Sequence, residues 1–333
     1  MKYVEGATCE VAIIGLGYVG LPAALMFAKS GLKTVGVDIN AELLSQLSNG
    51  VCPLEEEGLL QIFGDTETKA NFSVQDSPPI AETYIIAVPT PLDVLRKIAD
   101  LKAVASACVS IVPFLRPGAL VIVESTIPPL TCRDVVAPIL EQSGLKVGAD
   151  ILLAHCPERL FPGNVVEEII SNSRIIGGAN DVATDRAAAL YGRFVKGELM
   201  RTDDVTAEFC KLIENAYRDV NIAFANELAG IAERLGIGID DAIAMANKHP
   251  RVNILKPGIG VGGHCIPIDP WFIAEVAPDD AALIQTARRI NDRKPEQVAA
   301  RIRRAVAHIA DPRLAIYGIT YKPDVNDQRE SPA

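Results

Sequence analysis

The chain has 333 residues, of which 49% are hydrophobic and 22% charged, a balance typical of a globular protein with about two domains. Its 42 acidic and 32 basic side chains give a net charge of −10, which disfavours general nucleic-acid binding or attachment to an anionic membrane. The 7 cysteines are an odd number without a Cys-x-x-Cys pair, so neither a zinc site nor a disulfide framework is predicted, and no other metal site is expected. A reducing cytoplasm fits best.

The apolar run at residues 11–28 does not have the pattern of a secretory signal or a membrane span. It follows Glu10 rather than a basic cluster, and three glycines and Pro22 interrupt it. The run instead has the order strand, glycine loop and helix, with a strand predicted at residues 11–14 and a helix at 21–30.

The glycine loop between these elements has the pattern of a dinucleotide-binding fingerprint. Gly15 permits a tight turn, Gly17 lets a pyrophosphate approach the backbone, and Gly20 allows helix and strand to pack closely. A second strand, predicted at residues 34–37, ends at Asp38, which lies 38 − 20 = 18 residues after Gly20, where an acid for the ribose hydroxyls belongs. Because this carboxylate would repel a 2′-phosphate, it favours NAD over NADP.

Further strands are predicted at residues 84–88, 120–123 and 151–154, with helical patterns between them, so the first domain is an α/β domain of Rossmann type. A polar turn follows each strand, and ligands of such sheets bind at the carboxyl ends of the strands. Thr126 and Glu158 are therefore candidates for the rim of the site. The alternatives stay open: threonine is common in turns, and an isolated Glu or Arg in a turn is usually solvated.

A long helix is predicted after the capping cluster at residues 202–204. Apolar residues recur at helical spacing from residue 205 to 231, and Gly236 ends the pattern. About thirty residues span roughly 45–50 Å, so this helix is expected to link domains or build a dimer interface. Lys211 and Asn215 share one face of it and could point together into a cleft, although a surface Lys-Asn pair is the ordinary alternative.

A glycine-rich loop at residues 258–263 precedes Cys265 and Asp269. We interpret Cys265 as a nucleophile, which must be a thiolate and therefore needs a cation nearby. Lys211 is preferred to the adjacent His264, because neighbouring side chains of an extended loop diverge. The alternative is a buried structural cysteine. Before this loop, Arg251 and Lys256 are plausible anchors for a phosphate or carboxylate.

Motifs along nearly the whole chain resemble those of the UDP-glucose/GDP-mannose dehydrogenases, in the order of that family. They are residues 14–22 (IGLGYVGLP), 87–91 (AVPTP), 124–126 (EST), 156–159 (CPER), 210–227 (CKLIENAYRDVNIAFANE), 249–253 (HPRVN), 262–271 (GGHCIPIDPW) and 329–332 (RESP). The wording of the segment 262–271 is similar to the branch that oxidises N-acetylhexosamines. Residues 93–97 are unlike the family's pattern.

The resemblance implies that the C6 hydroxyl of a UDP-N-acetylhexosamine, with UDP-N-acetyl-D-mannosamine expected, is oxidised twice by NAD to a uronic acid for bacterial surface polysaccharides. Cys265 would form a thiohemiacetal and then a thioester, Lys211 and Asn215 would stabilise oxyanions, and Asp269, Thr126 and Glu158 would assist proton transfer and hydrolysis. A homodimer through the central helix is also implied, with Arg251 reaching the substrate of the partner subunit.

The resemblance also implies the binding residues. For the cofactor they are Gly15, Gly17, Tyr18, Val19, Gly20, Asp38, Pro89, Thr90, Thr126, Lys322 and Arg329. For the substrate they are Glu158, Arg159, Lys211, Asn215, Arg251, Asn253, Gly258, Gly262 and Lys322.

The predicted domains are an NAD-binding domain at residues 1–201, a central helical dimerisation domain with the cysteine loop at 202–311, and the first strand and loop of a UDP-binding domain at 312–333. Because a complete domain needs on the order of 100 further residues, the last one is expected to be truncated. UDP-glucose or UDP-N-acetylglucosamine 6-dehydrogenase, a two-electron β-hydroxyacid dehydrogenase, and a catalytically silent NAD-binding dimerisation module remain as alternatives.

Overall fold

The computed structural model describes residues 4–160, 163–321, 328 and 330–333, so the predicted binding residues Lys322 and Arg329 lie outside the described residues. The chain divides into two compact units, residues 1–91 with 99–211 and residues 92–98 with 212–333. Within the described residues, no helix combines the length and the apolar character needed to cross a membrane.

The first unit is built on an eight-stranded sheet. Its strands are β1 (Cys9–Ile14), β2 (Thr34–Val37), β3 (Phe72–Gln75), β4 (Ala81–Ile86), β7 (Leu120–Val123), β8 (Leu152–His155), β9 (Arg174–Gly178) and β10 (Leu199–Asp203), and a separate two-stranded hairpin is formed by β5 (Leu92–Asp93) and β6 (Ile98–Ala99). The sheet order is β10-β9-β8-β7-β4-β1-β2-β3. Neighbouring strands are parallel except for the antiparallel pair β8 and β9.

Helices cover the sheet and then continue into the second unit. They are α1 (Gly20–Lys29), α2 (Ala41–Ser48), α3 (Leu59–Gly64), α4 (Thr66–Asn71), α5 (Lys102–Ile111), α6 (Ala137–Leu140), α7 (Val165–Ser171), α8 (Asp181–Tyr191), α9 (Asp204–Leu235), α10 (Ile239–Ala246), α11 (Asp269–Val276) and α12 (Ala282–Val306). Short 3₁₀ turns occupy Val112–Phe114 and Glu141–Ser143, and a π-helical turn occupies Cys132–Val136.

Both faces of the sheet are buried, which explains the continuous apolar runs of its central strands. Along β1, Val11 and Ile13 pack into one core cluster with the α1 side chains, whereas Ala12 and Ile14 pack into a second cluster with α5. Full burial of a large apolar side chain such as Leu25 of α1 stabilises the fold by about 1.5–3 kcal/mol. The predicted α/β domain of Rossmann type is confirmed.

Several element boundaries differ from the prediction. The strand predicted at 84–88 is observed as β4 (Ala81–Ile86), because Pro89 and the residues before it already form the turn. Strands β3, β9 and β10 were not predicted. No strand forms among residues 312–321, where one was predicted, and the apolar side chains of that segment, such as Ile316 and Tyr317, are exposed.

The long helix was predicted well, because it begins and ends where its capping signals lie. It runs from Asp204 to Leu235 over 32 residues, and Gly236 follows it in a left-handed conformation with φ +68°. Asp203 caps its N-terminus, since the carboxylate accepts hydrogen bonds from the Thr206 backbone N–H at 3.0 Å and from the Thr206 hydroxyl at 2.6 Å. The helix is continuous through the division between the two units.

Candidate active site

In the glycine loop after β1, two glycines are required by contacts within the protein and one faces open space. Gly15 has φ +98°, and a Cβ there would lie 2.5 Å from the Ala87 carbonyl oxygen. A Cβ at Gly20 would overlap the carbonyl oxygen of Gly15, so this glycine is needed for packing. Gly17 is exposed, and a Cβ there would meet no protein atom within 4 Å. Its missing side chain therefore leaves room outside the protein, where a pyrophosphate would approach.

Asp38 is held next to this loop by the backbone. Its carboxylate accepts one hydrogen bond from the Leu16 N–H at 2.8 Å and another from the Asn40 N–H at 2.9 Å. The half-buried carboxylate is thus fixed at the end of β2, beside the first turn of the loop. A dinucleotide with free ribose hydroxyls fits this arrangement, and one with a 2′-phosphate would meet a negative charge.

The turns after β4 and β7 are joined to each other. The Ser125 hydroxyl donates to the Val88 carbonyl at 2.7 Å and accepts from the Val88 N–H at 3.0 Å. Within the described part of the chain, the buried Thr90 hydroxyl has no hydrogen-bond partner, which fits a ligand at the carboxyl end of the sheet. Thr126 is half-buried at the same end, as predicted. Ser125 was missed, because a serine in a turn carries no signal of its own.

The predicted pair Glu158 and Arg159 is not a solvated pair. Glu158 forms an ion pair with Arg174, the first residue of β9, and also accepts the Arg159 backbone N–H at 2.7 Å. The Arg159 guanidinium donates a hydrogen bond to the Ser173 carbonyl at 3.1 Å. Arg174 was not predicted as a site residue, because an arginine in a segment without a predicted strand is usually on the surface.

Two buried ionisable groups flank Lys211 in the first unit. Burial lowers the pKa of His155, at the end of β8, to about 3, and the nearby Lys211 ammonium acts in the same direction. Burial raises the pKa of Glu208, one turn before Lys211 on α9, to about 7, although its carboxylate accepts the N–H groups of Leu130 and Cys132 at 2.6 and 2.8 Å. Glu208 thereby ties the segment that follows Thr126 to the long helix.

In the second unit, the cysteine loop leads directly into α11. Cys265 is exposed, which rules out the alternative of a buried structural cysteine. Its carbonyl accepts hydrogen bonds from the N–H groups of Ile268 and Asp269 at 3.0 and 2.9 Å. Cys265 therefore begins the turn that leads into α11. Of the four loop glycines, only Gly260 and Gly263 have the positive φ that was expected of them, +145° and +87°.

Asn215 of α9 is bound to the acid of this loop. Its side-chain amide donates to the Asp269 carboxylate at 2.6 Å, and the two residues are only 8% and 3% exposed. A buried hydrogen bond to a charged group stabilises the fold by about 1.5–3 kcal/mol and fixes both side chains. The Asn215 side chain of the long helix is therefore joined to the acid of the cysteine loop, a contact that the sequence did not predict.

The last described residues pack onto the same loop. The Gly263 N–H donates to the Glu330 carbonyl at 3.3 Å, and a Cβ at Gly262 would lie 2.5 Å from that oxygen and 2.7 Å from the Tyr321 Cβ. The missing side chains of Gly262 and Gly263 thus allow Tyr321 and Glu330 to pack against the loop, in addition to any space they leave for a ligand. The hairpin of β5 and β6 also reaches this region, since Lys97 lies over the Trp271 ring at 5.1 Å.

A buried polar network holds the start of the loop. The Gly258 N–H donates to the Asn226 side chain at 2.9 Å, and Asn226 donates in turn to Asn291 of α12 at 2.9 Å. Asn291 also donates to Asp219, which forms a buried ion pair with Arg288. This network was missed. Its signal was the recurrence of polar residues on one face of α9, at Asp204, Glu208, Asn215, Asp219 and Asn226.

The remaining predicted substrate residues lie on the loop after α10. Arg251 and Asn253 are exposed, and His264 is exposed beside Cys265. The course of this loop is fixed by Asn247, which accepts the Ile254 N–H at 2.7 Å and donates to the Ile254 carbonyl at 3.0 Å.

Comparison with known proteins decides what this arrangement is. Residues 9–195 match the NAD binding domain of the UDP-glucose/GDP-mannose dehydrogenase family, and residues 205–293 match its central domain. The chain belongs to the UDP-glucose/GDP-mannose dehydrogenase family. The family's NAD-binding domain contains the glycine loop and Asp38, so NAD is the cofactor and the chain is an NAD-dependent nucleotide-sugar dehydrogenase.

Members of this family resemble the chain over nearly its whole length. It is 46% identical to the UDP-N-acetyl-D-mannosamine dehydrogenase of Methanococcus aeolicus over 328 residues, which cover 97% of this chain and 74% of the relative. It is 42% identical to the NDP-N-acetyl-D-galactosaminuronic acid dehydrogenase of Ralstonia solanacearum, covering 97% and 78%. The native structure of the UDP-N-acetyl-mannosamine dehydrogenase of Staphylococcus aureus superposes with a TM-score of 0.90 at 45% identity, covering 97% and 77%.

Proposed function

We propose that this protein oxidises the C6 hydroxyl of UDP-N-acetyl-D-mannosamine to the uronic acid in the cytoplasm, for surface polysaccharide synthesis. The observation that carries the proposal is the exposed Cys265 on its glycine loop, one turn before an Asp269 that is bound to Asn215. Relatives named UDP-N-acetyl-D-mannosamine dehydrogenase at 44–46% identity favour the N-acetylmannosamine substrate. The seven cysteines all lie in described positions without a disulfide, which is consistent with a reducing compartment.

The proposed chemistry keeps the intermediate on the protein. When bound, NAD⁺ would supply the hydride acceptor for each of the two oxidations, each of which also releases one proton. Between them, the Cys265 thiolate attacks the C6 aldehyde to form a C–S bond and a thiohemiacetal, which is then oxidised to a thioester. Water attacks the thioester carbonyl, the C–S bond breaks, and the carboxylic acid leaves while Cys265 regains its thiolate.

Each predicted catalytic side chain has a task in this scheme. Lys211 and Asn215, one helical turn apart, donate to the oxygen on which negative charge develops, and one preorganised donor of this kind is worth about 3–4 kcal/mol. Asp269 fixes the Asn215 amide through their hydrogen bond of 2.6 Å. Thr126 and Glu158 assist the water at the carboxyl end of the sheet. The approach of Lys211 to Cys265 stays a prediction.

The remaining predicted residues are proposed to bind the two ligands. Around NAD they are Gly15, Gly17, Tyr18, Val19, Gly20, Asp38, Pro89, Thr90 and Thr126, together with Lys322 and Arg329. Around the UDP-sugar they are Glu158, Arg159, Lys211, Asn215, Asn253, Gly258, Gly262 and Lys322, with Arg251 contributed to the partner subunit's substrate.

A homodimer through α9 is supported by an exposed apolar stripe on this helix. Its members recur three or four residues apart or at multiples of that spacing, and they are 42–67% exposed: Phe209, Ile213, Tyr217, Phe224, Ile231 and Leu235. Large apolar side chains in a continuous row are typical of a surface that a partner covers. A second copy of the same helix presents the matching row.

The test is the stoichiometry of the reaction. Incubation of the protein with UDP-N-acetyl-D-mannosamine and excess NAD⁺ is expected to give two NADH and one uronate per sugar. A yield of one NADH with free aldehyde or ketone contradicts the thioester scheme and favours a two-electron dehydrogenase. Binding of NAD⁺ without any turnover favours the silent binding module.

A second substrate is favoured by the Ralstonia relative, whose identity of 42% is close to that of the mannosamine enzymes. Parallel assays with the UDP-N-acetyl gluco and galacto epimers and with UDP-glucose decide between them. The N-acetylmannosamine proposal expects the highest kcat/KM for that epimer, and a higher value for another sugar contradicts it.

A further inference from the structure

Four side chains form a buried cluster at the carboxyl end of the first unit's sheet. Arg174 is 4% exposed and Glu124, which follows β7, is 2% exposed. Glu158 follows β8, and Tyr191 is the last residue of α8. The side chain of Glu158 is 8% exposed, so the charges of this cluster interact largely without solvent screening.

The antiparallel pairing of β8 and β9 explains why Arg174 reaches Glu158. The register pairs Ala154 with Gly178 and His155 with Gly177. Continued beyond the strand end, it sets Glu158 opposite Arg174. In an all-parallel sheet the start of β9 would lie at the far edge, away from the ligand side. The reversal of β9 therefore brings a cation to the carboxyl ends of β7 and β8.

Arg174 itself is held on two sides. Its Nη1 donates to Glu124 Oε1 at 2.7 Å, and its Cζ lies 4.2 Å from the centre of the Tyr191 ring. The Tyr191 hydroxyl donates to the same Glu124 oxygen at 2.6 Å. The hydrogen bond to Glu124 and the cation–π contact thus fix the plane of the guanidinium, and the Tyr191 hydroxyl holds Glu124 in turn.

We propose that Arg174 is a positioning residue that, anchored by Glu124 and Tyr191, fixes the orientation of the Glu158 carboxylate for the hydrolytic step. The proposal rests on the proposed function, in which Glu158 assists the water that cleaves the Cys265 thioester. Arg174 Nη2 binds one carboxylate oxygen of Glu158 and the Arg159 N–H binds the other. A carboxylate has about four acceptor positions, so lone pairs remain for a water.

The proposal predicts that Arg174 affects the hydrolytic step and not the two oxidations. Hydride transfer does not use Glu158 in the proposed scheme, whereas the water must lose a proton as it attacks the thioester carbonyl. Glu158 accepts that proton only while one of its oxygens faces the water, and the contacts with Arg174 and the Arg159 N–H fix that orientation. Weakening Arg174 should therefore slow hydrolysis and spare the two oxidations.

The test compares Arg174→Lys, which keeps the charge and loses the fork, and Tyr191→Phe, which removes only the hydroxyl that binds Glu124. For Arg174→Lys we expect a burst of two NADH per site at the wild-type rate and then a steady state slower by at least about tenfold. Intact-mass analysis during the steady state should find the uronyl adduct on Cys265. Tyr191→Phe should give a smaller change of the same kind.

Two matched variants serve as controls. Arg201→Lys makes the same replacement on β10, where Arg201 forms an exposed ion pair with Asp185 of α8. Tyr84→Phe removes a buried hydroxyl of the same sheet, whose partners include the Pro79 carbonyl at 2.9 Å. Both are expected to keep the wild-type burst and steady state, without the Cys265 adduct.

A loss of burst in proportion to the steady state overturns the proposal, because a merely structural ion pair would slow every step alike. Absence of the Cys265 adduct in both cluster variants overturns it as well. If Arg174→Lys does not fold, Tyr191→Phe alone decides by the ratio of its burst rate to its steady-state rate. A wild-type enzyme that makes no uronate refutes the proposed function itself, whereas uronate formation beside wild-type-like variants refutes only the assignment of Arg174.

Discussion

In the proposed scheme, the four-electron chemistry depends on Cys265. We expect Cys265→Ser to lower uronate formation on the order of a thousandfold, because a serine hydroxyl ionises far less readily near neutral pH than a thiol does. Chromatography of the sugar products measures the effect. Cys52→Ser, at a half-buried thiol of the first unit, should behave as wild type. Near-normal turnover of Cys265→Ser would support a two-electron dehydrogenase instead.

Gly17 and Gly20 should respond to the same substitution in different ways. Gly20→Ala forces a Cβ onto the Gly15 carbonyl oxygen, so we expect a loss of stability of about 2 kcal/mol or more and a lower Tm. Gly17→Ala meets no protein atom within 4 Å, so the Tm should be kept while NAD⁺ affinity falls. Thermal unfolding and calorimetry with NAD⁺ check the pair. Equal Tm losses would show that both glycines serve packing.

Some residues of the proposed site could be predicted from the sequence, and others could not. Gly15, Gly20 and Asp38 were predicted because each follows a local rule of the dinucleotide fold. Arg174 could not be, because its importance comes from the antiparallel register of β9, which no local pattern encodes. Ser125 likewise matters only through the neighbouring strand.

At the scale of elements, α9 presents apolar side chains to solvent and polar ones to its own chain. We expect Phe224→Glu to turn a dimer into a folded monomer, because the 49% exposed ring lies in the exposed stripe and a charge there opposes burial against a second copy. Light scattering after size exclusion measures the mass. Met245→Glu, at an exposed apolar residue of α10, is the control and should leave the mass unchanged. An unchanged mass for Phe224→Glu would contradict the proposed interface.

The same helix shows what periodicity can and cannot predict. Apolar spacing and the caps predicted its type and length, yet half of the large apolar residues in the pattern, among them Phe209 and Ile213, are exposed. The pattern does not distinguish a face buried in its own chain from one left for a partner. Strand β9 was missed for a related reason: it begins with an arginine and ends with two glycines, so it contains no apolar run.

Two buried groups, His155 and Glu208, make the unfolding free energy of the whole molecule depend on pH in opposite directions. The pKa of His155 is about 3 when folded against 6.5, so the unfolded chain binds the extra proton and stability is lost as the pH falls below 6.5. The pKa of Glu208 is about 7 when folded against 4.5, so the folded chain holds the extra proton and stability is lost as the pH rises from 4.5. The two slopes oppose each other between these ordinary values.

Removing one group should therefore reveal the other. Between pH 4.5 and 6.5, His155→Leu is expected to change the slope of the unfolding free energy by about −1.4 kcal/mol per pH unit, and Glu208→Gln by a similar positive amount. Urea unfolding at several pH values measures the slopes. His308→Leu, at an exposed histidine, should leave the slope unchanged. Curves parallel to wild type would contradict the assignment of both groups.

The packing of Tyr321 and Glu330 onto Gly262 and Gly263 has a consequence for biosynthesis. The chain leaves the ribosome N-terminus first, so the nucleotide sheet can form while these late residues are still being translated. The backbone around Cys265 gains these two supports only when they emerge. A nascent chain should thus acquire its nucleotide-binding sheet before the loop of Cys265 is held in place.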